Sequence, residues 1–233
     1  MPIKQMDYPH RKILMKVETE IEAAWRINSC RKEPWTQAFV DRVKPGELFI
    51  DVGANVGAYT LIAATAGARV IAIEPFYANA GRMGENLALN NALRNVLLLQ
   101  MALGEEDGVT EFHIGDLRAG SASHILGPVY PAKPTFHTVP VLVMPLDALQ
   151  PVMGDVPRYI KIDTDGNEQS VLKGMTATLQ HPATQAVMLE YRLPDEPAVL
   201  TWFKNYGYRQ TERYNEREGK QIQGVAYGLF ERG

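Results

Sequence analysis

The chain has 233 residues, 45% of them hydrophobic and 22% charged, which is typical of a globular protein with a sizeable core. Its formal net charge of -3 excludes a bulk basic surface for binding nucleic acid or acidic membranes. No apolar run reaches the roughly 18 residues that a membrane-spanning helix needs, so we predict no membrane span.

The cysteine content and the N-terminus indicate the compartment. Cys30 is the single cysteine of the sequence, so it forms no intramolecular disulfide, and we expect a reducing environment. The N-terminal segment, residues 1–16, is mixed and charged and lacks the apolar core of a signal peptide. We therefore expect a cytoplasmic protein.

Apolar runs that alternate with helical patterns predict an α/β fold. Residues 17–43 are predicted to be helical with an interruption near 30–34, so residues 1–45 form an N-terminal helical extension or cap and 46–233 the main domain. The alternation implies a mostly parallel central sheet with helices on both faces. Strands are predicted at 48–52, 70–74, 96–100, 109–114, 139–143, 159–163 and 186–190, helices at 56–66, 78–90, 171–179 and 197–206, and a closing antiparallel pair at 208–214 and 225–230.

Residues 49–57 are predicted to form a buried strand that leads into a glycine turn and a helix, and the next strand ends in Glu74. This order is typical of a nucleoside-binding α/β site. A dinucleotide fingerprint starting at Gly53 would need glycine at the positions of Asn55 and Ala58. The second glycine of that fingerprint lets the backbone approach a pyrophosphate. S-adenosylmethionine (SAM) has no phosphate, yet its ribose needs the acid, so the pattern favours SAM.

Five motifs follow one another along the chain, namely Ile50 to Gly57, Ile73-Glu74-Pro75, Ala102-Leu103-Gly104, Ile160 to Gly166 and Val171 to Gly174. In order and spacing they resemble the FkbM-type SAM-dependent methyltransferases. The resemblance implies a Rossmann-like methyltransferase domain over residues 46–233, SAM as cofactor and a small-molecule acceptor. It also implies O-methylation of a hydroxyl on a sugar or natural product. Family members often have Val-Glu where this chain has Thr164-Asp165.

The residues themselves suggest how the cofactor is held. Gly53 and Gly57 lack a Cβ, so the turn can pass close to the methionyl part of SAM. Asp51 either holds the amides of the turn or receives the methionyl ammonium through water. We predict that Glu74 accepts both ribose hydroxyls, and that Phe76 either covers adenine or is a core aromatic. The predicted cofactor-binding residues are Asp51, Gly53, Ala54, Asn55, Gly57, Glu74, Pro75, Phe76, Met101, Ala102 and Asp163.

We predict catalysis at the carboxyl ends of the first and fourth main strands, where the strand order reverses. Asp163 ends the fourth strand and is predicted to orient or deprotonate the acceptor. Together with Asp165 and Glu168 it suits a polar acceptor or a divalent cation, although for Glu168 we favour a helix N-terminus role. Glu190 and Tyr191, which end the fifth strand, are predicted to point toward the cleft mouth.

Residues 115–137 are predicted to form a long, mobile loop over the acceptor. His124 in this loop is the second catalytic candidate, as a general base, with an exposed loop histidine as the alternative. No two histidines have metal-ligand spacing, so we predict no zinc site, and we assign no residue as a metal ligand. We predict that Asn79 caps a helix. Residues 31–36 either close over the cofactor or start a helix that buries Trp35.

Two other function classes stay open at this point. An NAD(P)-dependent oxidoreductase on a related fold would need the glycines missing at 55 and 58, and a Tyr/Lys or His pair near Asp163. A methyltransferase-like domain that only binds ligands would be expected to have lost some of Gly53, Gly57, Glu74 and Asp163, which are all present.

Overall fold

A computed structural model describes residues 2–122, 124–127 and 137–233. The α-helices are α1 (Glu20–Ala24), α2 (Ser29–Lys32), α3 (Pro34–Val40), α4 (Ala58–Thr65), α5 (Tyr77–Leu89), α6 (Gln150–Met153), α7 (Glu168–Lys173), α8 (Thr176–Gln180) and α9 (Glu196–Asn205). The strands are β1 (Ile3–Gln5), β2 (Leu14–Lys16), β3 (Leu48–Val52), β4 (Arg69–Ile73), β5 (Val96–Leu99), β6 (Ala102–Leu103), β7 (Gly108–Ile114), β8 (Ile125–Leu126), β9 (His137–Met144), β10 (Tyr159–Ile162), β11 (Ala186–Arg192), β12 (Tyr208–Tyr214), β13 (Glu216–Arg217), β14 (Lys220–Gln221) and β15 (Val225–Arg232).

The central sheet has seven strands in the order β12-β15-β11-β10-β3-β4-β5. The five strands from β5 to β11 run parallel, and β15 pairs antiparallel with both β11 and β12. This confirms the predicted α/β fold and the C-terminal antiparallel pair. The strand order reverses between β3 and β10, and we call this place the switch point of the sheet. The carboxyl ends of these two strands border a crevice, and open α/β sheets bind ligands in such a crevice.

Alternate residues of the sheet enter two separate cores. Phe49 of β3 packs with Met83 on one face, and Ile50 packs with Leu172 on the other. Each of the five residues of β3 is buried, as expected for a central parallel strand covered on both faces. None of the helices in the described part of the chain has both the length and the apolar character needed to cross a membrane.

The strands predicted at 109–114 and 139–143 form a second sheet instead of extending the first. β7 pairs antiparallel with β9 from Gly108↔Val143 to Ile114↔His137, in the sheet order β6-β9-β7-β8. The prediction of an unbroken loop over 115–137 is wrong at β8, which pairs with β7. Residues 128–136 of that prediction lie outside the described residues.

The N-terminal segment is not purely helical, because β1 and β2 form an antiparallel pair before α1. Met6 and Met15 of this segment are buried in the same core as Phe49. The side chain of Asn86 on α5 accepts the Lys16 N–H at 2.9 Å, which joins β2 to the main domain. The division at residue 45 stays a prediction.

Candidate active site

A cleft opens above the carboxyl ends of β3, β4 and β10 and holds about 1070 Å³ of empty space, including its open mouth. Most of the predicted site residues line this cleft, and Asp51, Gly57 and Phe76 lie behind its wall. The lining members are Gly53, Ala54, Asn55, Glu74, Pro75, Met101, Ala102, His124 and Asp163.

The glycine turn is shaped by the protein around it. Gly53, Asn55 and Gly57 all have positive φ angles, of 73°, 53° and 88°. A Cβ on Gly53 would lie 1.7 Å from the backbone oxygen of Asp163, so no other residue fits there. A Cβ on Gly57 would meet Met83 at 2.7 Å. Both glycines are therefore required by tertiary contacts, which adds a reason for them beyond the close approach of a ligand.

Glu74 follows β4 and closes one wall of the cleft. Its Oε2 accepts the Asn55 N–H at 2.8 Å, and its Oε1 accepts the Phe76 N–H at 3.0 Å and the Asn79 amide at 3.5 Å. Burial raises the pKa of Glu74 to about 7, against the lowering effect of those hydrogen bonds. Oε2 keeps a free lone pair that can accept a further donor from the cleft, whereas Oε1 already accepts two donors, of which the Asn79 amide at 3.5 Å is the more distant.

An apolar slot lies beside Glu74. Its wall is formed by Ile73, Met101, Ala102, Phe112 and Leu126.

Phe76, which we considered as an adenine cover, is fully buried instead and packs in a core cluster with Ala102 and Phe112. The adjoining Glu74 accepts the backbone N–H of Phe76. Phe112 supplies an aromatic ring to the slot. The sequence pattern missed Phe112 because it lies on β7, in the second sheet.

Lys161 of β10 joins the two strands at the switch point. Its Nζ lies 3.2 Å from Asp51 Oδ1, 3.2 Å from the Gly53 oxygen and 3.8 Å from Asp163 Oδ2. Burial opposes the charged ammonium, but the Asp51 and Asp163 carboxylates outweigh it and raise the pKa of Lys161. Thr60 on α4 donates to the other oxygen of Asp51 at 2.7 Å. Asp51 is thus enclosed by partners of this chain, away from the cleft.

The turn after β10 carries Asp163, Asp165 and Glu168. The Glu168 carboxylate is buried and accepts the N–H groups of Thr164 and Gly166 and the Thr164 hydroxyl. It lies in the first turn of α7, the position that we favoured for it. Asp163 and Asp165 line the cleft. Within the described residues, no group of three His, Cys, Asp or Glu side chains is placed to hold a metal ion together.

His124 is buried, which corrects the alternative of an exposed loop histidine. Its Nδ1 accepts the Gly115 N–H at 3.3 Å, so Nε2 carries the proton and donates to the Ser121 hydroxyl at 3.1 Å. Burial lowers the pKa of His124 to about 4. Both ring nitrogens are occupied, so a role as general base is not supported by this geometry.

The segment that carries His124 is anchored to the glycine turn. Asn55 and Asn79 donate to the Ser121 carbonyl at 2.8 and 3.1 Å, and the Asn79 side-chain oxygen accepts the Gly120 N–H at 2.8 Å. Asn79 therefore joins this segment to α5 through hydrogen bonds. Contrary to our prediction, it does not cap the helix, because the N-cap position of α5 is Phe76. The Arg26 side chain also donates to the Gly120 carbonyl at 2.8 Å.

A second group of polar side chains lies on the β10–β11 side of the sheet. Glu33, Tyr59 and Asp163 of this group line the cleft, and their further partners are not among the lining residues. Glu33, at the start of α3, accepts the Tyr59 hydroxyl at 3.0 Å and an Arg217 Nη at 2.5 Å. The Tyr227 hydroxyl lies 3.4 Å from Glu33 and also hydrogen-bonds to Glu190, the residue opposite it in the β11–β15 register. We refer to Glu33, Asp163 and Glu190 as the carboxylate cluster.

Sequence reasoning found this region only in part. Residues 31–36 do reach the cleft, through Lys32 and Glu33, while Trp35 is buried and stacks on Tyr214. Tyr191 is placed wrongly by the prediction, because side chains alternate along β11 and its ring enters the opposite core. Arg217 was missed, since its 184-residue separation from Glu33 leaves no local signal.

The sequence of this chain also matches a known family. The model of the methyltransferase FkbM domain matches residues 51–210, more than half of the chain. The chain belongs to the FkbM methyltransferase family. It is a methyltransferase, and this decides against the oxidoreductase and binding-module alternatives.

Relatives of this FkbM methyltransferase support the assignment. The hexuronic acid methyltransferase AglP of Haloferax volcanii is 27% identical over 184 residues, which cover 78% of this chain and 71% of AglP. Two solved structures share the fold. The FkbM methyltransferase of Methylobacillus flagellatus KT superposes with a TM-score of 0.51 and 18% identity over 83% of this chain and 50% of its own. Streptococcus pneumoniae Sp1610, in complex with S-adenosyl-L-methionine, superposes with a TM-score of 0.53 and 12% identity over 86% of this chain and 72% of its own.

Proposed function

We propose that this FkbM methyltransferase uses SAM to methylate a hydroxyl oxygen of a sugar. The observation that carries the proposal is the pairing of two acids across the switch point. Glu74 follows β4 beside an apolar slot, and Asp163 follows β10 on the other side of the glycine turn. One acid is suited to a ribose and the other to an acceptor hydroxyl.

The residues present fit SAM. Glu74 has a free lone pair on Oε2 for one ribose hydroxyl, and a second hydroxyl would replace the long Asn79 contact at Oε1. The neighbouring slot, with Phe112 and Met101, suits the flat apolar adenine. Gly53, Ala54 and Asn55 would face the methionyl part. Support also comes from the shared fold, since Sp1610 was solved with SAM bound.

Asp163 is the proposed general base. SAM, when bound, supplies a methyl group on a positively charged sulfur that leaves as a neutral thioether. Asp163 orients the acceptor hydroxyl and accepts its proton as the oxygen–carbon bond forms. Lys161 lies 3.8 Å from Asp163 and holds it at the switch point. The carboxylate is about a quarter exposed, so an acceptor hydroxyl in the cleft can reach it.

The proposed acceptor is a small sugar derivative. Its class is supported by the name of the relative AglP, whose acceptor, a hexuronic acid, is a sugar. The cytoplasm remains our proposed location, because Cys30 is buried as a free thiol.

The test is methyl transfer from tritium-labelled SAM to a panel of methyl glycosides, polyols and phenols. We expect label on the glycosides. Periodate cleaves vicinal diols but not a methyl ether, so the sugar fragment that keeps the label after cleavage identifies the methylated oxygen. Label on phenols alone would contradict the sugar assignment. Failure of SAM to bind in calorimetry would contradict the cofactor assignment as well.

A further inference from the structure

Arg26 lines the cleft without an acid beside it. It begins the 3₁₀ turn Arg26–Asn28 after α1, is half-buried, and its Nε donates to the Gly120 carbonyl at 2.8 Å. Among the residues that the structure describes, no carboxylate pairs with this guanidinium and its Nη atoms have no hydrogen-bond partner. A guanidinium has five N–H donors, so the N–H groups of both Nη atoms are left for a ligand.

The other lysine and arginine side chains that line the described part of the cleft already have acidic partners. Lys161 pairs with Asp51 at 3.2 Å and also with Asp163 of the carboxylate cluster. The Lys32 ammonium lies 3.8 Å from Glu218. A half-buried cation gives up part of its hydration, and an anion that pairs with it through charge-assisted hydrogen bonds compensates for that loss. The charge of Arg26 is therefore available to an anionic ligand.

Hydrogen bonds connect Arg26 to the glycine turn. The Gly120 carbonyl that it binds belongs to the residue before Ser121, and the Ser121 carbonyl accepts the Asn55 side chain at 2.8 Å. Asn55 is one of the residues proposed to face the methionyl part of SAM. That part ends in a carboxylate, and a guanidinium matches a carboxylate through two parallel N–H···O bonds. Arg26 is thus joined to the end of the cleft where the cofactor would bring an anion.

We infer that the Nη groups of Arg26 bind a ligand carboxylate in the cleft, and the connection to Asn55 favours the methionyl carboxylate of SAM as its source. A carboxylate on the sugar acceptor is the other source of the same chemistry, and the test separates the two. The inference rests on the proposed function, because both ligands belong to the site described there.

The first experiment compares two cofactor-like ligands that differ only in the carboxylate. S-adenosylhomocysteine and its decarboxylated analogue, in which hydrogen replaces the carboxylate, are titrated by calorimetry. We expect the wild type to bind S-adenosylhomocysteine more tightly by about tenfold or more, which corresponds to about 1.4 kcal/mol. Arg26→Gln should remove most of this preference. If Arg26 served only to hold Gly120, the variant would weaken both ligands equally and the preference would not change.

The second experiment compares acceptors that differ only at C6, methyl α-D-glucopyranoside and methyl α-D-glucopyranosiduronate, by kcat/KM for methyl transfer. A hexuronide-to-hexoside ratio that falls by about tenfold in Arg26→Gln, with the cofactor preference unchanged, would assign the carboxylate to the acceptor. If folded Arg26→Gln changes neither preference, the inference is overturned and the proposed function stands. If S-adenosylhomocysteine binds but no sugar is methylated, the sugar assignment fails and the first experiment still decides the role of Arg26.

Two further variants keep the result decisive. Arg26→Lys keeps the positive charge without the paired N–H groups, so it should retain part of the preference for the carboxylate. Arg94→Gln makes the same exchange as Arg26→Gln at an exposed position in the turn Leu93–Asn95, outside the cleft, and should leave both ratios unchanged. If Arg26→Gln does not fold, Arg26→Lys should still lose about threefold or more of one preference. Wild-type ratios in both experiments would then overturn the inference.

Discussion

The two sides of the cleft are built in different ways. On the β4–β5 side, backbone amides of the glycine turn and apolar side chains surround a single acid, Glu74. On the β10–β11 side, charged and hydroxyl side chains from separate segments of the chain meet, among them Glu33, Asp163, Glu190 and Arg217. The first side is suited to one constant ligand, and the second to a variable acceptor.

The difference teaches how one fold can keep a cofactor site while its acceptor changes. Backbone contacts depend little on which side chains are present, so the turn keeps its geometry through many substitutions. Side chains brought together from distant segments can be replaced one at a time without moving the sheet. Separate losses of catalysis and of cofactor affinity should therefore follow from mutations on the two sides.

The largest expected effect is on the acceptor side. Asp163→Asn should lower kcat by about 10²–10⁴-fold, the usual contribution of a general base. SAM affinity, measured by calorimetry, should change by less than about threefold, since the cofactor is proposed to lie on Glu74 and the turn. Asp155→Asn on the exposed surface is the control. Near-normal kcat on a verified acceptor would show that Asp163 is dispensable, and a loss of SAM binding would make it a cofactor residue.

On the cofactor side, Glu74→Gln should weaken SAM binding by about 1.5–3 kcal/mol, as expected for hydrogen bonds to a charged group. The pKa of Glu74 near 7 adds a pH signature. Only the deprotonated carboxylate accepts both ribose hydroxyls, so affinity in the wild type should rise as the pH is raised through about 7. Calorimetry from pH 6 to 8 should find that the SAM affinity of the Glu74→Gln variant does not change with pH. A wild-type profile that falls with pH would remove Glu74 from the ribose site.

The next effect is on the pH dependence of stability, through His124 in the segment that carries it over the cleft. The pKa of His124 is lowered from 6.5 to about 4 in the folded chain, so between these values the unfolded chain binds more protons. Stability is therefore lost as the pH falls through this window, by about 2 kcal/mol between pH 7 and pH 5.

In urea unfolding, the free energy of unfolding of His124→Gln should lack this part of the pH dependence. The same exchange at the exposed His137 serves as the control. A kcat that follows the titration of His124 in the wild type would instead restore it as a candidate base.

The smallest effect should come from the support behind the glycine turn. Thr60→Val keeps the branched shape but removes the 2.7 Å hydrogen bond to Asp51, at a cost of about 1 kcal/mol. Calorimetry should find a Tm lower by about 2–4 °C. Thr65→Val on the same helix, where the hydroxyl bonds to a carbonyl of its own helix, should change the Tm less. Equal losses at both positions would contradict a special role for Thr60.

Several features were determined by the sequence alone, because their signals are local. Apolar runs of strand length, the positive-φ glycines and the acid that follows β4 lie within short windows, and each depends on backbone sterics or on burial of one strand. Together they predicted the parallel sheet, the glycine turn at Gly53, and the positions of Glu74 and Asp163 at the cleft. The same motifs carried the family resemblance that the comparison confirmed.

Only the tertiary structure decided what each side chain contacts. Phe76 is the core aromatic of the two predicted alternatives, and Phe112 lines the slot, because a second sheet packs beside it. His124 is buried in a segment whose Ser121 carbonyl accepts hydrogen bonds from Asn55 and Asn79. The approach of Glu33 to Arg217 depends on the strand order across the whole sheet. Such contacts are set by packing between distant segments, so they cannot be predicted from the spacing of residues along the chain.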